Sequence, residues 1–359
     1  MTRRSGIRDV AREAGVSLTT VSHVLNENPT ARVNPATRAR VREVAERLNY
    51  QPNPMARGLR TRSSGMIGLL TEEIAATPHA GRIILGAQEA ASRHNLTLAI
   101  INSALQADLD ERRNDVLALV DRHVDGIIFA TVYHDVVSPP EELREVPAVL
   151  IGAADRRGEL PSVVPDERRG AADAVRALLA AGHRRIAFTG DVENVPATRG
   201  RRLGYLDALA EAGIPSDPAL IANAESEAWG GYAAASSILS AGGQPTAIFA
   251  YNDRMAMGVY RALAERGLRI PTDVSVIGFD DQNPIAVSLF PGLTTVGLPH
   301  YEMGAWAVDA LARQLAGADT DDSAAGAVSA GPVLMPCRLV DRASVARRSD
   351  SATPEAGTP

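Results

Sequence analysis

Lysine is absent from the 359 residues, so all 37 basic side chains are arginine. Any phosphate this chain neutralises must therefore meet a guanidinium, whose planar fork suits phosphate oxygens. One cysteine, Cys337, excludes an internal disulfide and every two-thiol metal or redox motif. Aromatic residues are scarce: two Trp, seven Tyr and five Phe. Trp229, Phe290 and Tyr133 are the few candidates for stacking on a ligand, each equally suited to a core. No apolar run reaches the roughly 18 residues that span a bilayer. Met1-Thr2-Arg3-Arg4 leads into a helical pattern without an apolar leader segment, so the expected location is cytoplasmic, with no membrane partner. G-x-G-x-x-G, G-x-S-x-G and H-E-x-x-H are missing, and no catalytic residue, metal or cofactor is expected.

The formal charge of −6 conceals an asymmetry. Residues 1–62 hold 12 arginines against five acidic groups; the remainder holds 25 against 38. A basic N-terminal unit suits a polyanionic partner, although charge alone also fits a solvated basic face.

That unit reads as three helices. Ile7, Val10, Ala11 and Ala14 recur at helical spacing and stop at Gly15, a residue suited to the left-handed turn. Ser17 precedes a second helix, Leu18 to Leu25, with Val21, Val24 and Leu25 inward and Thr19, Thr20, Ser22 and His23 outward. A third opens at Asn34-Pro35 and runs through Leu48, with Val41, Val44, Ala45 and Leu48 inward. Two short helices about a Gly-containing turn fit a helix-turn-helix whose second helix enters the major groove. Thr19, Thr20 and Ser22 can meet base edges or phosphates, Thr20 can equally cap the helix, and His23 can reach a guanine edge. Asn26 completes the candidate set.

The run IRDVAREAGVSLTTVSHVLN, from Ile7 to Asn26, resembles the headpiece of the lactose and galactose repressor family of bacterial transcription regulators almost throughout. With His23 where many members carry arginine, the second helix is similar to the purine repressor's version. Tyr50 to Gly65 mixes Pro52, Pro54 and Gly58 with arginines and serines, and reads as a hinge that folds when residues such as Arg57 meet phosphates. The resemblance implies that Leu59 wedges into the minor groove; packing of Leu59 on a dimer mate is the alternative.

From Met66 onward short apolar runs alternate with helical stretches: 66–71, 96–102, 126–131, 148–152, 185–190, 247–253 and 274–281. Such alternation predicts parallel sheets covered on both faces. The rhythm breaks at 151–163 and 291–299, suggesting two lobes crossed more than once, with a cleft beyond the strand ends. Those ends carry Thr71, Asn102, Asn252-Asp253 and Asp280-Asp281, with Arg199 to Arg202 nearby. Carboxylate, amide and guanidinium together suit a polyol or a purine. GHRRIA from Gly182, NDRMAMG from Asn252 and PTDVSVIGFDD from Pro271 are similar to stretches of the same family and imply Arg201, Asn252 and Asp280 as effector-gripping residues. Asp253 and Asp281 are expected to cap helices rather than touch ligand. Two positions depart from the family: Ser226 stands where an aromatic platform is common, with Trp229 three residues on as its replacement or as packing, and Gly152 stands where sugar-binding relatives place a polar group.

The expected architecture is an all-α helix-turn-helix headpiece (1–50), a hinge (51–64), an α/β two-lobed periplasmic-binding-protein-like domain (65–342) and a disordered tail (343–359) without leucine heptads. The expected function is a regulator, a repressor by preference. It would bind a palindromic double-stranded operator as a homodimer through apolar lobe-one surface and answer to a small effector, a sugar by preference and a purine otherwise. A sugar-binding protein or an α/β enzyme without a DNA role are the rivals, and neither has a use for the basic headpiece.

Overall fold

The computed structural model describes residues 6–26, 31–50, 63–72, 80–104, 107–317 and 331–348. The chain divides into two compact units, residues 1–66 and 67–359. The first holds α1 (Ile7–Ala14), α2 (Leu18–Leu25) and α3 (Pro35–Arg47). Gly15 takes the left-handed conformation at φ 63°, and the Val16 N–H returns to the Ala11 carbonyl at 3.0 Å, closing α1 tightly enough for α2 to turn back. Val10, Ala14, Val21, Val24, Val41 and Val44 form the core, as the helical spacing predicts. Arg47 pairs with Glu13 at 2.6 Å, tying α3 to α1.

The second unit contains β1 (Met66–Glu72), α4 (Ala80–Arg93), β2 (Thr97–Ser103), α5 (Leu109–Val120), β3 (Gly126–Val137), β4 (Ala148–Asp155), β5 (Ser162–Pro165), α6 (Glu167–Ala180), β6 (Ile186–Asp191), α7 (Pro196–Glu211), β7 (Ile221–Ala224), α8 (Ala228–Ser240), β8 (Ala247–Ala250), α9 (Asp253–Ala264), β9 (Ser275–Asp280), α10 (Ile285–Ser288), β10 (Thr294–Gly297), α11 (His300–Gly317), β11 (Val333–Met335) and β12 (Arg338–Val340). Two six-stranded sheets result, ordered β11-β5-β4-β3-β1-β2 in lobe one and β12-β10-β9-β8-β6-β7 in lobe two. Apart from β1–β2, neighbouring strands run parallel except β12, which is antiparallel to β10. Helices cover the sheets, which is why β8 and the first half of β4 are buried at every position.

The chain passes between lobes three times, after β5, after β10 and between β11 and β12. The break read at 151–163 is therefore not a crossing: it is the β4–β5 turn within lobe one, and the chain leaves only after Pro165, where Asp166 caps α6. The break at 291–299 does coincide with one. A second correction concerns the tail. Residues 343–348 lie against lobe two: Ser344 is fully buried, accepting from the Thr294 N–H at 2.7 Å and donating to the Val276 carbonyl at 2.6 Å. His183 bridges Thr246 and the Ala346 carbonyl, both at 3.1 Å. A polar sequence reads as a tail, but its hydroxyl and backbone complete buried backbone groups that would otherwise lack partners.

Candidate DNA interface and effector cleft

On α2 the Ser17 hydroxyl accepts from the Thr20 N–H at 3.1 Å and shares a hydrogen bond with the Thr20 hydroxyl at 2.9 Å. Ser17 is thus the cap of α2, and Thr20 is the residue it caps. Asn26 donates to the Ser22 carbonyl at 2.8 Å and to its hydroxyl at 3.2 Å, closing the other end. Thr19 is exposed, and Ser22, His23 and Asn26 are half-buried. Val21 and Val24 on the opposite face are fully buried, so the polar side chains are the ones α2 presents outward. Arg57 and Leu59 lie outside the described residues.

The cleft site is built around Arg201, on the second turn of α7 and only 4% exposed. Its Nε donates to Glu167 Oε2 at 2.7 Å, one terminal nitrogen donates to the Tyr251 carbonyl at 2.6 Å, and the other lies 3.0 Å from Asp280 Oδ1. Phe279 and Tyr251 flank the guanidinium, their ring centres 3.9 and 4.5 Å away. Burial works against its charge, and the carboxylates of Glu167 and Asp280 override it, holding the arginine above its ordinary range. Gly200 makes this possible: a Cβ there would sit 2.8 Å from that of Glu167, so only glycine lets α7 approach α6 closely enough for the pair. A guanidinium this deeply buried must be compensated by protein groups, and here Glu167 and Asp280 do so.

Asp280 and Asp281 both take positive φ, 108° and 50°, which turns consecutive carboxylates to different partners. Asp280 meets Arg201; Asp281 pairs with Arg342 at 2.7 Å rather than capping α10. Asp253 does not take the capping role expected of it, because its neighbour holds that place. Asn252 is the cap of α9, accepting from the Met255 N–H at 2.7 Å and donating to the Ser226 carbonyl at 2.9 Å. Asp253, wholly buried, accepts from the Gln282 N–H at 2.7 Å and the Thr295 hydroxyl at 2.6 Å. Burial, reinforced by Asp280, pushes its carboxyl up to about 7. Beside Asp280 a cavity of about 640 Å³ opens between two crossing segments, lined among others by Gln282, Leu298, His300 and Arg338.

Thr71 is buried at the end of β1, whereas Asn102 is exposed on the edge strand β2. Trp229 is 58% exposed at the start of α8, three residues beyond the Ser226 carbonyl that Asn252 holds. Two residues escaped the sequence reading. Glu167 follows β5, a four-residue strand too short to register in the apolar pattern, so no strand end directed attention to it. His134 lies on the continuation of β3, which reads as ending at Thr131 but resumes pairing with β4 at Asp135 after a register shift.

A three-helix unit with an outward polar helix, joined in one chain to two lobes enclosing a polar cluster, defines a DNA-binding regulator with a ligand-binding domain. Residues 6–53 match the bacterial regulatory protein lacI family, and residues 175–345 match a periplasmic binding protein-like domain. Catabolite control protein A of Priestia megaterium is 35% identical over 322 residues, covering 88% of this chain and 94% of that protein. The HTH-type transcriptional repressor PurR of Edwardsiella ictaluri is 36% identical, covering 95% and 96%. The lac repressor dimer bound to operator and the anti-inducer ONPF superposes with a TM-score of 0.75 at 27% identity, covering 96% of this chain and all of that one. The chain belongs to the lacI family of bacterial transcription regulators. It is a DNA-binding regulator with an effector-binding domain, and not an enzyme. Among the described residues no helix is long and apolar enough to cross a membrane.

Proposed function

We propose that this chain is a cytoplasmic repressor that holds a near-palindromic operator as a homodimer and releases it when a sugar enters the cleft. The observation that carries the DNA side is α2, with Thr19, Thr20, Ser22, His23 and Asn26 on the polar side opposite Val21 and Val24. Arg57 and Leu59 of the 51–64 hinge supply phosphate and minor-groove contacts. Thr71, Asn102, Arg201, Trp229, Asn252 and Asp280 serve the effector, directly or by shaping the cleft. A cellobiose complex of the regulator CelR, similar at TM-score 0.63 and 28% identity, supports the sugar class.

Exposed apolar side chains support the dimer. Leu85 and Ile100 stand out on lobe one, and Phe290, 96% exposed, with Met257 and Val287 on lobe two. Effector binding closes the lobes and alters their spacing across the dimer, which disfavours folded hinges.

Fluorescence anisotropy of the purified protein on a palindromic operator-like duplex, with mono- and disaccharides and purines added in turn, tests the reading. Release by a sugar is the expected result; tightening by a purine would make the protein corepressor-dependent, and no specific binding would remove the DNA role. In the same assay Leu59→Ala should weaken operator binding about tenfold or more while leaving effector affinity unchanged, as expected for a wedge that bends DNA.

A further inference from the structure

The β3 strand breaks register with β4 between Ala130 and Asp135. A bulge of this kind bends the strand and interrupts its ladder. It is locked from the neighbouring strand: Gly152 sits at φ 72°, and a Cβ there would come within 2.9 Å of the Thr131 carbonyl oxygen. The glycine that replaces a polar group in β4 therefore makes room for the bulge in β3. His134 is the last residue of that bulge. Its Nδ1 is buried without a hydrogen-bond partner, an exception among buried polar groups that calls for a cause.

His134 lies near lobe two: α7 packs against β3 across the cleft, and Arg201 and Arg199 of α7 are close enough to act on the ring electrostatically. Its pKa is lowered to about 4 by burial, with Asp135 opposing and Arg201 and Arg199 assisting. The imidazole is thus neutral at physiological pH, carrying one donor and one acceptor nitrogen. Neither arginine can accept a hydrogen bond. A hydroxyl can satisfy the open nitrogen in either tautomer, since it both donates and accepts. Across the cleft, Arg201 is held by two carboxylates, leaving the Glu167–Arg201–Asp280 cluster with no surplus positive charge to attract an anion.

We propose that His134 is a specificity-determining residue of the effector cleft, pairing from lobe one with a hydroxyl of an uncharged effector, and that Glu167 bars anionic analogues by occupying Arg201. This rests on the effector reading above, and it assigns the selecting groups to residues outside the set read from the sequence.

Calorimetric titration of the full-length protein without DNA tests it. The probes are a panel of neutral mono- and disaccharides including cellobiose, the anions glucose 6-phosphate and glucuronate, and hypoxanthine. The expected result is binding of at least one neutral saccharide, no binding of the anions, and a loss of about tenfold in saccharide affinity in His134→Ala. His134→Gln, which keeps a donor and an acceptor, should recover part of that loss. Ligand-free melting temperature and operator affinity should match the wild type in both variants. Glu167→Gln should admit glucose 6-phosphate. Unchanged affinity in His134→Ala, an anion binding as well as its neutral parent, binding of hypoxanthine alone, or no binding in any arm would each overturn the proposal. Operator anisotropy on the same samples separates the outcomes: intact DNA binding leaves the regulator reading standing whichever way the titration falls.

Discussion

The two sites handle polar groups in opposite ways. On α2 short polar side chains bond to one another along a single turn, Ser17 to Thr20 and Ser22 to Asn26, and the helix needs only Val21 and Val24 beneath it. In the cleft the charged groups are buried, and each is held by a residue distant in sequence: Arg201 by Glu167 and Asp280, Asp253 by Gln282 and Thr295. A DNA-facing helix must keep its hydrogen-bonding capacity available to a wet, charged partner, and exposure costs it little. A cleft strips its residues of water before any ligand arrives, so each charge must be compensated within the protein.

Four substitutions probe this contrast, in falling order of effect. Arg201→Ala leaves Glu167 and Asp280 buried without a counter-charge, a loss on the order of 3–5 kcal/mol. Both tryptophans, Trp229 and Trp306, lie in the second unit, so urea unfolding followed by their fluorescence reads that unit. A midpoint equal to the wild type's would mean that the cluster contributes nothing to the fold.

Asp253→Asn addresses pH. In the folded protein the carboxyl keeps its proton up to about 7, while the unfolded chain gives it up near the ordinary aspartate value. The folded state thus binds more protons through this window, and stability declines as pH rises from about 4 to 7, at most by about 1.4 kcal/mol per pH unit. The asparagine variant, which can still accept from the Gln282 N–H, should show a flatter profile of tryptophan-detected midpoints; an unchanged slope would place the titration elsewhere.

Val24→Ala opens a cavity in the small headpiece core and should cost about 2 kcal/mol. Operator affinity should fall while the tryptophan-detected midpoint holds, a separation that would fail if the units were energetically one. Ser17→Ala removes the α2 cap, a loss of about 1 kcal/mol. Circular-dichroism melting of the isolated headpiece, if it retains its helices, should register that loss without any change in effector affinity.

Three features of the headpiece were legible because they are local. Helical spacing set the inward valines, Gly15 the turn, and Asn34-Pro35 the start of α3, all within a few residues of what they control. The alternation of strands and helices likewise announced two covered sheets. Misreadings arose where local signals were weak. The turn between β4 and β5 imitated a crossing, the strand β5 was too short to notice, and Ser344 looked like solvent-facing tail. Asn252 and Asp253 are adjacent, and nothing in their order tells which caps α9 and which reaches Thr295.

The sequence by itself determined the class of protein, the two units and the polar face of α2, since each rests on periodicity or a motif read along one stretch of chain. Only the tertiary structure decided that Arg201 is already paired, that Glu167 is its partner, and that His134 lies near the arginines of the other lobe. Those outcomes depend on how closely α7 approaches α6 at Gly200 and how β3 bulges over Gly152, close approaches between segments far apart along the chain.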